Sequence, residues 1–153
     1  MMSVEDQGSG NAQMPEARRD KKQFADFVRI HAINGNLITR EDEMQVLKEG
    51  ITRYRMDLEE ATGIMLSVAA EHDIALTSHA EHHVEVMLEQ VVKRGKIGQK
   101  EFADVVAIYG KLTNGSLALP DIQKRVKQMV QERGWNGKRT RRIFGSRKWF
   151  RRI

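Results

Sequence analysis

Several things are scarce or missing in these 153 residues. There is no cysteine, which excludes disulfides, thiolate metal sites and cysteine nucleophiles. Two prolines and an aromatic content of 6% leave few natural breaks and few bulky core-fillers, and eight methionines point to helix instead. No run of about 18 apolar residues exists, so no segment is expected to span a membrane. The opening stretch, Met1 to Pro15, has no apolar core of the kind a secretory signal needs, and a cytoplasmic protein is expected. Catalytic signatures are absent as well. Gly95 and Gly98 do not make a phosphate-binding loop, and neither Gly-x-Ser-x-Gly nor His-Glu-x-x-His occurs. An enzyme is not expected.

What is present is charge, unevenly placed. Eight of the 26 basic residues fall between 136 and 153, where there is no acid; without them 18 basic groups face 21 acidic ones. The net charge of +5 therefore describes the C-terminus and not the rest of the chain. At 17.6 kDa, with 40% hydrophobic residues, one domain with a genuine core is expected.

Apolar periodicity predicts an all-α fold, a single compact bundle of about six helices over residues 15–135. It follows a Gly/Ser/Gln-rich N-terminus, 1–14, read as disordered. The first helix starts near Pro15 and carries Phe24, Phe27, Val28 and His31 at helical spacing. Thr39 caps the second, whose stripe reads Met44, Leu47, Ile51, Tyr54. Asp57 caps the third, with Glu60 three residues on and Leu58, Ala61, Met65, Leu66 and Ala69 inside. Thr77 or Ser78 caps the fourth, lined by Ala80, Val84, Met87, Leu88 and Val91 and closed by Gly95. Phe102, Val105, Val106 and Tyr109 mark the fifth. Ile122, Val126, Met129 and Val130 mark the sixth, which opens with Pro120. No confident strand is visible.

A turn pattern recurs three times: glycine, an apolar residue at +2 and an acid at +6. It reads Gly35, Leu37, Glu41; Gly95, Ile97, Glu101; and Gly115, Leu117, Asp121. Those are positions 6, 8 and 12 of a calcium-binding loop. Positions 1, 3 and 5 hold Ile30, Ala32, Asn34 in the first; Gln90, Val92, Arg94 in the second; and Gly110, Leu112, Asn114 in the third. One neutral ligand and one carboxylate do not repay dehydration of a divalent ion, so the turns are expected to serve geometry. The first two lie 60 residues apart, a spacing that suits two related halves and equally suits ordinary helix connections.

The stretch from His31 to Glu43, with Ala32, Asn34-Gly35, Leu37 and Glu41-Asp42-Glu43, resembles the opening turn of the TerB-like helical domains, named for tellurite resistance. Arg94-Gly95-Lys96-Ile97 with Glu101 resembles the second such turn of that family. The resemblance covers about residues 20–134. It implies an all-helical bundle with a scaffold or adaptor role and, in some members, metal held by acids of these turns. Asn34 and Arg94 stand where the family pattern has aspartate.

Two other clusters carry chemistry. His79 and His83 are four apart on one helix face, with His82 beside them; Glu71 or His72 could complete a nitrogen and oxygen set for zinc or another divalent metal. The alternatives are a solvated helix face or a pH-responsive cluster. Otherwise no cofactor is expected. The C-terminal segment 136–153 combines Lys138, Arg139, Arg141, Arg142, Arg147, Lys148, Arg151 and Arg152 with Ile143, Phe144, Trp149, Phe150 and Ile153. As a helix, 147–153 would place Trp149, Phe150 and Ile153 opposite the cations. That describes a basic aromatic tail for an anionic membrane surface or an acidic partner protein, with the protein peripheral to the membrane. The alternative is nucleic acid, with arginines on phosphates and Trp149 and Phe150 stacked on bases.

Overall fold

The computed structural model describes residues 15–32, 35–140 and 145–153. It is all-α. In chain order the elements are α1 Glu16–His31, β1 Leu37–Ile38, α2 Arg40–Thr52, α3 Leu58–Glu71, β2 Ala75–Leu76, α4 Thr77–Val91, β3 Lys96–Ile97, α5 Gln99–Leu112, α6 Leu119–Glu132, β4 Asn136–Gly137 and α7 Lys148–Arg151. Six long helices form the bundle. The strands are two residues each, too short to leave an alternating pattern in the sequence.

The order helix, strand, helix, helix, strand occurs twice. From Leu37 to Lys96 is 59 residues, and from Ala75 to Asn136 is 61. Within each half the two strands pair in parallel, Leu37 opposite Ala75 and Lys96 opposite Asn136. The flanking bonds repeat too. Ala75 N–H donates to Asn36 O at 2.7 Å and Asn136 N–H to Gly95 O at 3.0 Å. Ile74 N–H reaches Ala69 O at 2.9 Å and Trp135 N–H reaches Val130 O at 3.0 Å. Ile38 and Ile97, both fully buried, occupy the same place in the two ladders. The sixty-residue spacing is thus a structural duplication.

Gly115 does not belong to it. It lies in the α5–α6 turn, the counterpart of residues 53–57 between α2 and α3. Asn36 and Gly95, at φ 51° and 70°, share the left-handed position before each first strand. Asparagine tolerates that conformation better than most residues, and glycine bears no cost there.

Each half has its own core. The first gathers Phe24, Val28, Ile38, Val46, Ala61, Met65 and Leu76 among others; the second gathers Val84, Leu88, Ile97, Phe102, Tyr109, Val126 and Val130. Stripes predicted for the fifth and sixth helices are buried in full. The second helix differs from expectation. Its inward face is Glu43, Val46 and Gly50, while Met44 is 70% and Ile51 42% exposed. Phe24 decides this, because its ring lies against Gly50, where an added Cβ would come within 2.9 Å of Cζ. Leu58, expected inside, is exposed at the first position of α3.

Thr39 and Asp57 cap their helices as expected, accepting the amides of Asp42 at 3.2 Å and Glu60 at 2.7 Å. Neither Thr77 nor Ser78 caps α4. Glu43 does this from across the molecule, accepting Ser78 N–H at 3.0 Å and Ser78 O–H at 2.6 Å. Helix α4 ends at Val91, short of Gly95. Asn114 completes the junction of the halves by donating to Asn36 O and Asp73 O at 3.1 and 3.0 Å, and Ser116 donates to Gly35 O.

Candidate anion-binding surface

The segment after β4 does not leave the bundle as a separate tail. Gly137 backs directly onto Phe150: a Cβ there would fall 2.6 Å from the Phe150 Cβ, so only glycine permits the approach. Phe150 is 3% exposed and joins the second core. Its ring and that of Trp149 meet Phe102 edge-on, at 6.0 and 5.6 Å. Trp149 Nε1 donates to Lys138 O at 3.0 Å. Lys127 Nζ sits 5.4 Å from the centre of the Phe150 ring and donates to Ile153 O at 3.3 Å. Helix α7 therefore is amphipathic, as the sequence suggested, but its apolar side is already spent on the bundle. Phe150 cannot touch an external surface, and Trp149 is half-buried. Arg141, Arg142 and Phe144 lie outside the described residues.

The same packing turns the cations outward. Lys138, Arg139, Lys148, Arg151 and Arg152 are exposed and Arg147 is half-buried. Thr140 and Ser146 pair with each other: Thr140 N–H donates to Ser146 O at 3.4 Å, and Ser146 N–H donates to Thr140 Oγ1 at 3.3 Å. Arg139, Gly145, Ser146, Arg147, Lys148 and Arg151 line a cavity of about 430 Å³. Among the described residues, none of these cations has a carboxylate partner; every ion pair lies elsewhere. The arrangement concentrates positive charge without internal neutralisation, which is what attracts and holds an anion.

The histidine set is not assembled. His79 and His83 share an exposed face of α4 and line a cavity of about 420 Å³ with Asp73, Leu66 and Leu112. The His82 and His83 rings are 6.4 Å apart. Glu71 and His72 remain exposed at the end of α3, on the far side of the Asp73 turn and β2. Among the described residues, no three of His, Cys, Asp and Glu come together to hold an ion. His31, on α1, is half-buried and its Nδ1 lies 3.1 Å from Phe27 O.

One polar centre was not foreseen. Glu81 of α4 is buried. Arg125 of α6 donates to it twice, at 2.7 and 3.0 Å; Arg40 of α2 reaches it at 3.3 Å and the Tyr109 hydroxyl at 3.4 Å. Burial pushes the Glu81 carboxyl up. The hydrogen bonds and charge of Arg125, with Arg40 and Tyr109 behind them, outweigh that and hold it below the ordinary carboxylate range. Burial first, then the Glu81 charge, pushes Tyr109 up to about 12. Every member has a partner, so the centre ties α4 to α5 and α6, with Arg40 of α2 reaching it from the first half. Nothing in the spacing of single residues signals it.

Compared with models of protein families, with curated proteins and with solved structures, the chain matches none.

Proposed function

We propose that the chain is a non-enzymatic helical interaction domain of the TerB-like kind that holds an anionic surface through the basic groups of its C-terminal segment. The observation that carries this reading is the outward set Lys138, Arg139, Arg147, Lys148, Arg151 and Arg152, without carboxylate partners among the described residues. A protein gains no stability from gathering like charges, and a partner of opposite sign relieves the repulsion. The two turns on which the TerB-like resemblance rests occupy equivalent places in the two halves. With Trp149, Phe150 and Ile153 packed on the bundle, attachment is electrostatic and involves little insertion. The surface is then a membrane face carrying anionic lipid, or an acidic partner protein. Among the described residues no helix is long and apolar enough to cross a membrane.

The test replaces Lys148, Arg151 and Arg152 together by glutamate, three exposed positions that leave the core untouched. Sedimentation with anionic liposomes at low salt should fall sharply against wild type, and added salt should release the wild-type protein. A triple variant that binds as well as wild type would refute the reading. Tight binding of a single-stranded oligonucleotide with no liposome binding would replace it by the nucleic-acid alternative.

A further inference from the structure

The basic surface contains a point that general charge attraction does not explain. Arg147 Nε is buried and has no hydrogen-bond partner among the described residues. Buried donors of this kind are satisfied in almost every protein, and an orphan asks for an explanation, a bound ion being one. A charged donor left alone is costlier still. Arg147 lines the cavity of about 430 Å³ together with Arg139, Ser146, Lys148 and Arg151. Ser146 Oγ accepts Lys148 N–H at 3.0 Å, and its own hydroxyl hydrogen has no acceptor among the described residues. Four cationic side chains and one spare hydroxyl thus border one small space with no acid in its lining.

We propose that this cavity is a binding site for a phosphate group, specifically the doubly charged terminal phosphate of a monoester or of free inorganic phosphate. This rests on the anionic-surface reading and names the chemistry of its central contact. A carboxylate would bring one charge to four cations. A phosphate dianion brings two, with three oxygens that match the forked donors of Arg139, Arg147 and Arg151. Lys148 adds a point charge at the rim and Ser146 a neutral donor. The two hydrogen bonds between Thr140 and Ser146 fix Ser146 and Arg147 relative to Arg139, so part of the ordering cost is met before the ligand arrives.

The experiment uses the full chain and inorganic phosphate at low salt, followed by calorimetry, with acetate as the singly charged control. Saturable 1:1 binding of phosphate and none of acetate is expected. Arg147→Lys keeps the charge but replaces the forked guanidinium by a point charge, and should weaken phosphate binding by about tenfold or more. Lys22→Gln, an exposed change in the other half, should leave it unaltered. Unaltered circular dichroism in Arg147→Lys excludes a folding defect; should that variant unfold, Arg151→Gln, at an exposed position, takes its place. Equal binding of acetate, or phosphate affinity unchanged by Arg147→Lys and Arg151→Gln, overturns the proposal. Liposome binding measured beside it separates the two readings. Liposome binding without phosphate binding sinks the site and spares the surface, and loss of both sinks both. To find the source of the phosphate, vesicles of phosphatidic acid in phosphatidylcholine are compared with phosphatidylserine vesicles of equal surface charge. Preference for phosphatidic acid that Arg147→Lys abolishes assigns a lipid headgroup; saturable phosphate binding without that preference assigns a soluble phosphate.

Discussion

Glu81→Gln removes one negative charge at the point where α4, α5 and α6 meet and Arg40 of α2 reaches in, and its cost can be bounded. Hydrogen bonds to charged partners contribute about 1.5–3 kcal/mol each when buried, and breaking a buried ion pair costs about 3–5 kcal/mol. Glu81 is buried, with only 9% of its side chain exposed, but Arg125 is 27% exposed and can turn its charge to water. Arg40, at 66%, adds little. Glutamine still accepts one hydrogen bond. A loss of about 2–3 kcal/mol at neutral pH follows, or roughly 4–12 °C in Tm for a domain of this size. Urea unfolding followed by circular dichroism measures it. The sign with pH is fixed by the depressed carboxyl. Its stabilising contribution is present above the unfolded value, near 4.5, and fades as pH falls through the folded one. The gap between wild type and Glu81→Gln should therefore close in acid. Arg125→Met alone strands the carboxylate, whereas the double variant should recover part of the summed loss. Additive losses, or a gap that persists unchanged in acid, would show that the pair does not hold α4 to α6.

Two further outcomes follow from the packing. Gly50→Ala should cost about 1–3 kcal/mol, because its Cβ meets Phe24 and Ala61 at 2.9–3.0 Å; Gly63→Ala, with open space around it and a helix interior to gain, should stabilise by about 0.5–1 kcal/mol. Equal effects in thermal melts would mean that α2 and α3 pack differently. Phe150→Ala should cost about 3 kcal/mol, the low end for a buried ring, since a terminal segment relaxes easily. Truncation after Trp135 should destabilise the second half further, and a truncated chain with unchanged Tm would contradict the docking of α7.

Where one face of a helix was apolar and the other charged, the sequence was readable: α5 and α6 bury the residues their spacing marks. Helix α2 is less legible because Met44 and Ile51 extend an apolar stripe of which only Leu47 and Tyr54 pack against the core, while the real inward face uses a glutamate and a glycine. Glu43 faces inward to cap α4 and Gly50 does so to admit Phe24, two reasons that exist only once the other helices are in place. The duplication showed itself as a spacing and not as shared residues, for a comparable reason. Phe24 and Gly50 in the first half correspond to Val84 and Tyr109 in the second, so large and small have traded places. Cation positions in the candidate site were legible from composition. That their aromatic neighbours hold the segment down, instead of reaching outward, depends on Gly137 and Phe102, which lie in separate elements.

The last helix has one more consequence. In the first half, β2 runs directly into α4, and the first turn of α4 sits over Glu43. In the second half the residue corresponding to Glu43 is Phe102, and what sits over it is α7, through Phe150. Four residues of helix thus fill the berth that the next unit would take in a stacked array. While α7 is in place, that end of the stack is sealed, and its outward side bears arginine and lysine instead of a face made for another unit.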